Sequence, residues 1–373
     1  MLGDWTQCNL GDVITLRRGY DLPQRDRVVG NIPIVTSSGV TGYHNVAKAK
    51  GPGVVTGRYG TLGAVFYVKG DYWPHNTALY VQDFKGNDPL FVSYLLRTLH
   101  FAGQNVAGAV PGVNRNYLHL LPVRIPVVPL QRKIAAVLSA YDDLIEVDTR
   151  RIRILEQMAQ AVYREWFGKV DPQALPEGWR VGQLGDIAME VRRSVQPDQI
   201  DPATPYFGLE HLPRNSIALS EWGTAREVQS TKLEFSEGAI LFGKIRPYFH
   251  KVGVAPIDGV ASSDTIVISP KEVAYFGLVL SSVSSEDFVN HATQTSKGTK
   301  MPRADWGVLV KYPILLPPQD ILIRHNDFVH DTVELIKTLI FVDRNLRRTR
   351  DLLLPRLVGG DLDVGAIELP EEP

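Results

Sequence analysis

The sequence predicts an α+β protein built from two β-rich globular parts, each followed by a long helix, with the two helices pairing as a coiled coil. Three observations predict it. The chain has 373 residues, more than one hydrophobic core ordinarily organises. Nearly the whole chain is written twice. Two segments carry apolar residues at alternating spacings of four and three, the seam of a coiled coil.

The repeat runs from end to end. "DWTQCNLGDVITLRRG" answers "GWRVGQLGDIAMEVRRS", with Trp5 matching Trp179 and Leu10-Gly11-Asp12 matching Leu184-Gly185-Asp186. "GVVTGRYGTLGAV" answers "GAILFGKIRPYFHKVGVA": Gly57-Arg58 pairs with Gly243-Lys244 and Gly63-Ala64-Val65 with Gly253-Val254-Ala255, the second copy being longer there. "HNTALYV" answers "SDTIVI", and "RIPVVPLQRKI" answers "KYPILLPPQDIL" with Gln131 opposite Gln319. The common order of these matches identifies a tandem duplication.

In the first helix the seam is Ile134, Leu138, Tyr141, Ile145, Asp148, Ile152, Leu155, Ala159, Val162 and Trp166. In the second it is Ile321, His325, Phe328, Thr332, Leu335, Leu339, Val342, Leu346, Thr349 and Leu353. The polar members Asp148, His325 and Thr332 fix register at a cost in stability. At 1.5 Å per residue the first helix would span roughly 55 Å, the length of a spacer. The organisation is therefore a globular part at 1–130, a helix at 131–168, a second globular part with its linker at 169–318, a helix at 319–356 and a tail at 357–373. "GKVDPQALPEG" (Gly168 to Gly178) links the halves, Pro355 is expected to end the second helix, and "VGGDLDVGAIELPEEP" reads as a loose acidic tail.

Composition excludes several classes. The chain is 44% hydrophobic and 22% charged, with a single cysteine, Cys8, that has no partner for an internal disulfide. That fits a reducing compartment. No export signal or membrane-length apolar run is visible, so a cytoplasmic location is expected. The formal net charge is -1, but residues 1–130 carry 12 Lys and Arg against 7 Asp and Glu, whereas residues 171–318 carry 14 against 17. Near-neutrality overall is compatible with a local basic face.

The glycines of "GVVTGRYGTLGAV" suggest a phosphate loop, but such a loop must open a helix. Here it enters "AVFYV", whose alternation and β-branching predict a strand. A turn requiring positive φ is the better reading. No Walker lysine or nucleophile elbow is present. The nine histidines are scattered, and no metal-ligand spacing occurs. "LLPPQD" is close to the Asp/Asn-Pro-Pro-aromatic loop of amino-methyltransferases, but Leu316 and Gln319 stand at its deciding positions. No residue pattern calls for catalysis by this chain.

Both halves instead place basic, amide and aromatic side chains on Gly-rich loops. The first offers Tyr43, His44 and Asn45 in "TSSGVTGYHN", Arg58, Tyr59 and Thr61 in "GRYGT", and Asn114, Arg115 and Asn116 in "AGAVPGVNRNY". The second offers Lys244, Arg246, Tyr248, His250 and Lys251 in "GKIRPYFHK", and Lys297, Lys300 and Arg303 in "QTSKGTKMPR". Arg, Lys and Asn have the donor geometry to read base edges or hold phosphates, and Tyr packs on sugar or base.

The openings "LGDV" and "LGDI", the segments "GRYGTLGAVFYV" and "HNTALYV", the lead-ins "IPVVPLQRKIAAVL" and "YPILLPPQDIL", the linker "LPEGW" and the ending "NLRRTRDLLLPRLVGGDLDV" together resemble the specificity subunit of type I restriction-modification systems. The resemblance covers nearly the whole chain, although "PPQDILIRH" and "GAVPGVNRNYL" depart from the usual pattern. It implies two target-recognition domains joined by an antiparallel helix pair, each domain reading one half of a bipartite, asymmetric sequence in double-stranded DNA, with the coiled coil setting the gap. It also implies no active site in this chain, two methyltransferase subunits bound to it, and two restriction and translocation subunits joined through those. S-adenosylmethionine, magnesium and ATP would then belong to the partner subunits. Two other readings are a reader fused within an autonomous modification or restriction enzyme, and a coiled-coil scaffold that does not touch DNA.

Overall fold

The computed structural model describes residues 5–99 and 112–367. They fall into two units, Met1–Asp143 with Leu346–Pro373, and Leu144–Asn345. The first part of "AGAVPGVNRNY", His100 and the last six residues of the tail lie outside the described residues.

In the first unit, Trp5–Asn9 pairs antiparallel with Pro122–Pro126. A four-stranded antiparallel sheet follows in the order Thr15–Arg18, Ala78–Asp83, Gly53–Gly57, Val65–Val68. A second, smaller sheet holds the hairpin Ile32–Thr36 and Gly39–His44, with Trp73–Pro74 parallel to its first strand. The helix Pro89–Thr98 starts where the Asp88 side chain accepts the Phe91 N–H and proline takes the first helical position, where no N–H is needed. It presses Phe91, Tyr94 and Leu95 onto Leu16, Val54 and Leu79 of the sheet, and Ile134 and Leu138 of the long helix complete that core. Burying each such side chain contributes about 1.5–3 kcal/mol.

The second unit repeats this plan. Arg180–Gln183 pairs antiparallel with Pro313–Leu316. Its four-stranded sheet runs Ala188–Glu190, Thr265–Pro270, Ile240–Gly243, Val252–Val254, the same order as in the first unit. Its second sheet again contains a parallel pair, Pro205–Phe207 with Gly259–Ala261, and adds Arg193–Val195 and Lys232–Phe235. The core is filled by Ile240, Phe242, Ile266, Ile268, Leu278 and Phe288.

Strand registers correct the sequence alignment at two points. Val55 faces Phe66 in one unit and Leu241 faces Gly253 in the other. Val65 is therefore the counterpart of Val252, not of Ala255, and the loop 244–251 exceeds 58–64 by one residue. Thr6 pairs with Ile125 and Arg180 with Leu316. Carried into the helices, this places Gln131 opposite Leu322 and not opposite Gln319. Gln131 is 1% exposed and holds Asn87 and the Pro126 carbonyl, whereas Gln319 is exposed.

The long helices run Val128–Phe167 and Gln319–Gly359. Each unit contains a stretch of both. In the second unit Ile152 shares a cluster with Ile336, Leu339 and Ile340, while Phe167 meets His325. Rising numbers on one helix meet falling numbers on the other, so the pair is antiparallel. In the first unit Asp142 meets Arg350, and Ile134 and Leu138 pack with Leu357 and Val358, in the same sense.

The expected seam of the first helix is inward throughout: Ile134, Leu138, Ile145 and Ile152 are buried and Tyr141, Leu155 and Val162 half-buried. In the second helix the alternation of four and three has the opposite phase. The buried stripe is His325, Val329, Thr332, Ile336, Leu339 and Asp343, continuing through half-buried Leu346 to half-buried Leu353. Leu335 and Val342 are 48% and 41% exposed, and Phe328 is half-buried at the edge of the core. Two apolar stripes lie side by side on this helix, and the buried one contains Asp343, which made the other look the more apolar.

Pro355 does not end the second helix, which continues one turn to Gly359. Gly360 then adopts φ +82°, the left-handed conformation that closes a helix. The start of the tail is packed, not loose: Leu357, Val358 and Val364 are buried in the core of the first unit. The Lys133 Nζ donates to the Gly365 carbonyl at 2.6 Å.

Candidate nucleic-acid interface

In the first unit the strand Gly53–Gly57 ends at a glycine for a steric reason. A Cβ on Gly57 would lie 1.9 Å from the Thr61 carbonyl oxygen. Gly60 and Gly63 take φ +81° and +83°, so the turn predicted for this stretch is present and no helix follows it. The loop is locked from two sides: the Arg58 N–H donates to the Thr77 carbonyl at 3.0 Å, and the Arg58 carbonyl accepts the Val113 N–H at 3.0 Å. Val113 leads into the helix Arg115–His119, which Asn114 caps by accepting the Asn116 N–H at 3.0 Å.

These bonds bring Arg58, Tyr59, Thr61, Asn114 and Arg115 together. The Arg58 guanidinium lies 4.4 Å from the centre of the Tyr59 ring and donates to its hydroxyl at 3.2 Å. That contact orients the planar fork of the guanidinium. Tyr59, Thr61, Asn114 and Arg115 are exposed and Arg58 is half-buried. Ser37, in the hairpin turn, adjoins both Gly57 and Gly60 and donates its N–H to the Thr77 hydroxyl. His75 hydrogen-bonds that hydroxyl, and its pKa is lowered by burial and by Arg27, against Asp21.

Tyr43, His44 and Asn45 are not part of this cluster. Register places Thr36 against Gly39 but Ile32 against His44, so they stand at the other end of the hairpin from Ser37. His44 is 6% exposed, accepts the Val28 N–H at 3.1 Å and packs edge-on against Trp73. Its ring ties the hairpin to the segment before it and to the strand Trp73–Pro74, a framework contact. Tyr43 and Asn45 are exposed.

The second unit builds the same lock from different residues. The Lys244 N–H donates to the Asp264 carbonyl at 3.0 Å, and the Lys244 carbonyl accepts the Ala304 N–H at 2.9 Å. Ala304 precedes the cap Asp305, which accepts the Gly307 N–H and opens the helix Trp306–Leu309. Lys297 and Arg303 exchange backbone hydrogen bonds in both directions and carry Lys300 between them, exposed. The Arg246 N–H donates to Pro302 at 2.7 Å, which joins that turn to the loop. Backbone hydrogen bonds thus join the loop of Lys244 and Arg246 to the turn of Lys297, Lys300 and Arg303, and Tyr248, further along the loop, is exposed.

Two carboxylates sit among these cations. Arg303 Nε is 3.5 Å from Asp264 and Lys297 Nζ is 4.0 Å from Asp305. By register their counterparts in the first unit are the hydroxyl residue Thr77 and the amide Asn114. The two surfaces therefore offer different groups at matching places, a carboxylate being suited to accept from cytosine N4. Lys251 turns inward: its Nζ donates to the Leu209 carbonyl, and burial, followed by Arg214, lowers its pKa. That bond ties the loop to the Leu209 segment and sets half-buried Lys251 apart from the more exposed cations Lys297, Lys300 and Arg303. Sequence reasoning did not single out Ser37, Thr77, Asp264 or Asp305. The first three lie within the repeated or Gly-rich segments "TSSGVTGYHN", "HNTALYV" and "SDTIVI", but their part depends on strand register, which no motif contains.

Among the described residues there is no group of three or more His, Cys, Asp or Glu able to hold a metal ion. No helix among them is long and apolar enough to cross a membrane.

Residues 3–157 match the family described as type I restriction modification DNA specificity domain. Proteins similar to this chain include type I restriction enzyme specificity subunits. The MjaIX specificity subunit of Methanocaldococcus jannaschii is 26% identical over 301 residues, 74% of this chain and 69% of that protein. The EcoDI specificity subunit of Escherichia coli is 29% identical over 150 residues, 39% of this chain and 32% of that protein. The fold is also that of a solved type I restriction-modification S subunit from M. genitalium: TM-score 0.64 and 13% identity, covering 95% of this chain and 96% of the other. The specificity-subunit likeness thus extends over both units.

Proposed function

We propose that this chain is the DNA sequence-specificity subunit of a type I restriction-modification complex, each unit reading one half of a bipartite, asymmetric target. One observation carries the reading: Arg58 and Lys244 are held at the ends of equivalent strands by the same pair of backbone hydrogen bonds, while the side chains around them differ. A shared frame with different contents suits two readers of different half-sites. The chain acts without an active site of its own. Its helices dock two methyltransferase subunits, through which two restriction and translocation subunits join, and S-adenosylmethionine, magnesium and ATP are bound by those partners. The helices also set the unread gap of the target, and the complex works in the cytoplasm.

The test combines this chain with its methyltransferase subunit and maps methylated positions in DNA. We expect methylation at one bipartite sequence, only when both proteins are present. Site choice that does not depend on this chain would overturn the reading, as it would fit a scaffold; methylation by this chain alone would instead make it an autonomous enzyme. Exchanging residues 1–130 with those of a relative should change one half-site, and inserting four residues near Thr149, about one helical turn, should change the gap alone. A changed half-site with a constant gap would contradict the spacer role.

A further inference from the structure

The first loop turns through two left-handed residues, Gly60 and Gly63. At the corresponding places the second loop has Arg246 and His250, both at φ +50°. This conformation disfavours residues with a Cβ and is ordinarily left to glycine. The second loop keeps the strained conformation and uses the side chains that cause it. The His250 Nε2 donates to the Ser284 carbonyl at 2.8 Å, and the His250 carbonyl accepts the Asn215 N–H at 3.0 Å. The Arg214 guanidinium lies 3.9 Å from the centre of the Phe249 ring and that of Arg246 5.9 Å. Pro247 is buried, and the Phe249 N–H closes a tight turn on the Arg246 carbonyl at 2.9 Å.

All of this structure presents one side chain outward. Tyr248, at the tip, is 51% exposed, and its ring meets the edge of Phe249 at 4.9 Å between centres. The first loop carries only Thr61 and Leu62 between its left-handed glycines. A large aromatic on a braced loop has little freedom left to lose on binding. Its loop also carries Lys244 and Arg246, and the Arg246 N–H is bonded to Pro302 in the turn that holds Lys297 and Arg303, so cations that attract the DNA backbone are joined to the same loop. With a single hydroxyl, tyrosine reads base edges less well than Arg or Asn; its larger asset is the flat face, which stacks on any base.

We propose that Tyr248 is an aromatic wedge that inserts at a base step of the half-site bound by the second unit, with no equivalent wedge in the first. Wedge residues of this kind unstack a step and favour sequences in which unstacking is easy. The second half-site is thereby read partly through deformability. The inference rests on the reading of this chain as a DNA specificity subunit.

The test uses the full chain assembled with its methyltransferase subunits and duplexes of the mapped target, with 2-aminopurine placed at each step in turn. Binding should change the fluorescence at one step of the second half-site. Tyr248→Phe should keep the change; Tyr248→Ala should return that step to its free-duplex value and weaken binding roughly 5- to 150-fold. Steps in the first half-site should respond alike in all three proteins. A bound target with no responding step in the second half-site, or a normal response from Tyr248→Ala, would overturn the wedge. So would a Tyr248→Ala protein that loses methyltransferase subunits while its bound duplex responds normally, since the ring would then dock on protein. Failure of the wild-type complex to bind the target at all would overturn the specificity-subunit reading and the wedge with it.

Discussion

One carboxylate oxygen of Glu156 accepts three hydrogen bonds from a single loop: the Ser216 hydroxyl at 2.6 Å, the Ile217 N–H at 2.8 Å and the Ala218 N–H at 3.2 Å. The first long helix thereby holds the loop that leads into the core of the second unit. Glu156 is 8% exposed, and burial raises its pKa against the opposing pull of these bonds and of Arg153.

Glu156→Ala should therefore cost about 2–4 kcal/mol, because three donors lose their acceptor. Glu156→Gln keeps the oxygen and removes the buried charge, so it should lie within about 1 kcal/mol of wild type. A folded-state pKa above the unfolded one means stability lost as pH rises from the ordinary value of 4.5 toward the raised one. Glu156→Gln should accordingly gain on wild type over that interval. Denaturant titrations at several pH values measure both effects, and equal damage from Ala and Gln would contradict this account.

His325 gives the opposite pH dependence. Its ring is buried against Tyr163, Trp166 and Phe167, with centres 4.9–6.0 Å away, and neither ring nitrogen has a hydrogen-bond partner among the described residues. Burial lowers its pKa from 6.5 to about 4. The folded state holds the proton less tightly than the unfolded one, so this contribution is complete above pH 6.5 and is lost as pH falls toward 4. The loss should reach about 3 kcal/mol. His325→Leu should remove this dependence and raise stability at pH 7 by roughly 1 kcal/mol, since an unpaired polar ring is replaced by an apolar one. An unchanged acid limb in the variant would place the titration elsewhere.

Asp142 anchors the first unit in a comparable way. Arg350 donates to it at 2.6 Å, Tyr94 at 2.8 Å and Arg97 at 3.1 Å. Burial pushes its pKa up, but Arg350, Tyr94 and Arg97 outweigh this and hold it below the usual value. The resulting stability is present above pH 3.8 and is lost as pH falls through the lowered pKa. Asp142→Asn should cost roughly 1–3 kcal/mol at pH 7, with two guanidinium groups left short of a carboxylate. Thermal unfolding followed between pH 3 and 7 would show it; a variant as stable as wild type would mean that the ion pairs contribute nothing net.

Much of this architecture was legible because repeated patterns need only local sequence. The tandem copies, both long helices and the strand character of "AVFYV" follow from periodicity and composition. The seam of the second helix did not, because Leu335 and Val342 are apolar yet exposed while His325 and Asp343 are polar yet buried. Partner geometry decided those positions, and hydropathy carries no record of it. The candidate surface divides along the same line. Arg58 and Lys244 were recoverable from paired glycines, whereas the separation of Tyr43 and Asn45 from Arg58 depends on hairpin register, as does the recruitment of Ser37 and Thr77.

Arg58 and Lys244 occupy equivalent backbone positions but are chemically different, and this predicts different consequences. Tyr59 orients the Arg58 guanidinium, which suits a bidentate contact with guanine. Arg58→Ala should relax discrimination at one base pair of one half-site by about 1–3 kcal/mol, and Arg58→Lys should not restore it, since an ammonium lacks the planar fork. Lys244 offers a point charge, which suits a phosphate. Lys244→Ala should weaken binding almost uniformly across sequences and reduce the salt dependence by about one counterion, with Lys244→Arg close to wild type. Competition binding with every single-base variant of the mapped target, at several salt concentrations, separates the two behaviours. A uniform loss from Arg58→Ala, or a base-specific loss from Lys244→Ala, would reverse the assignment of these two loops.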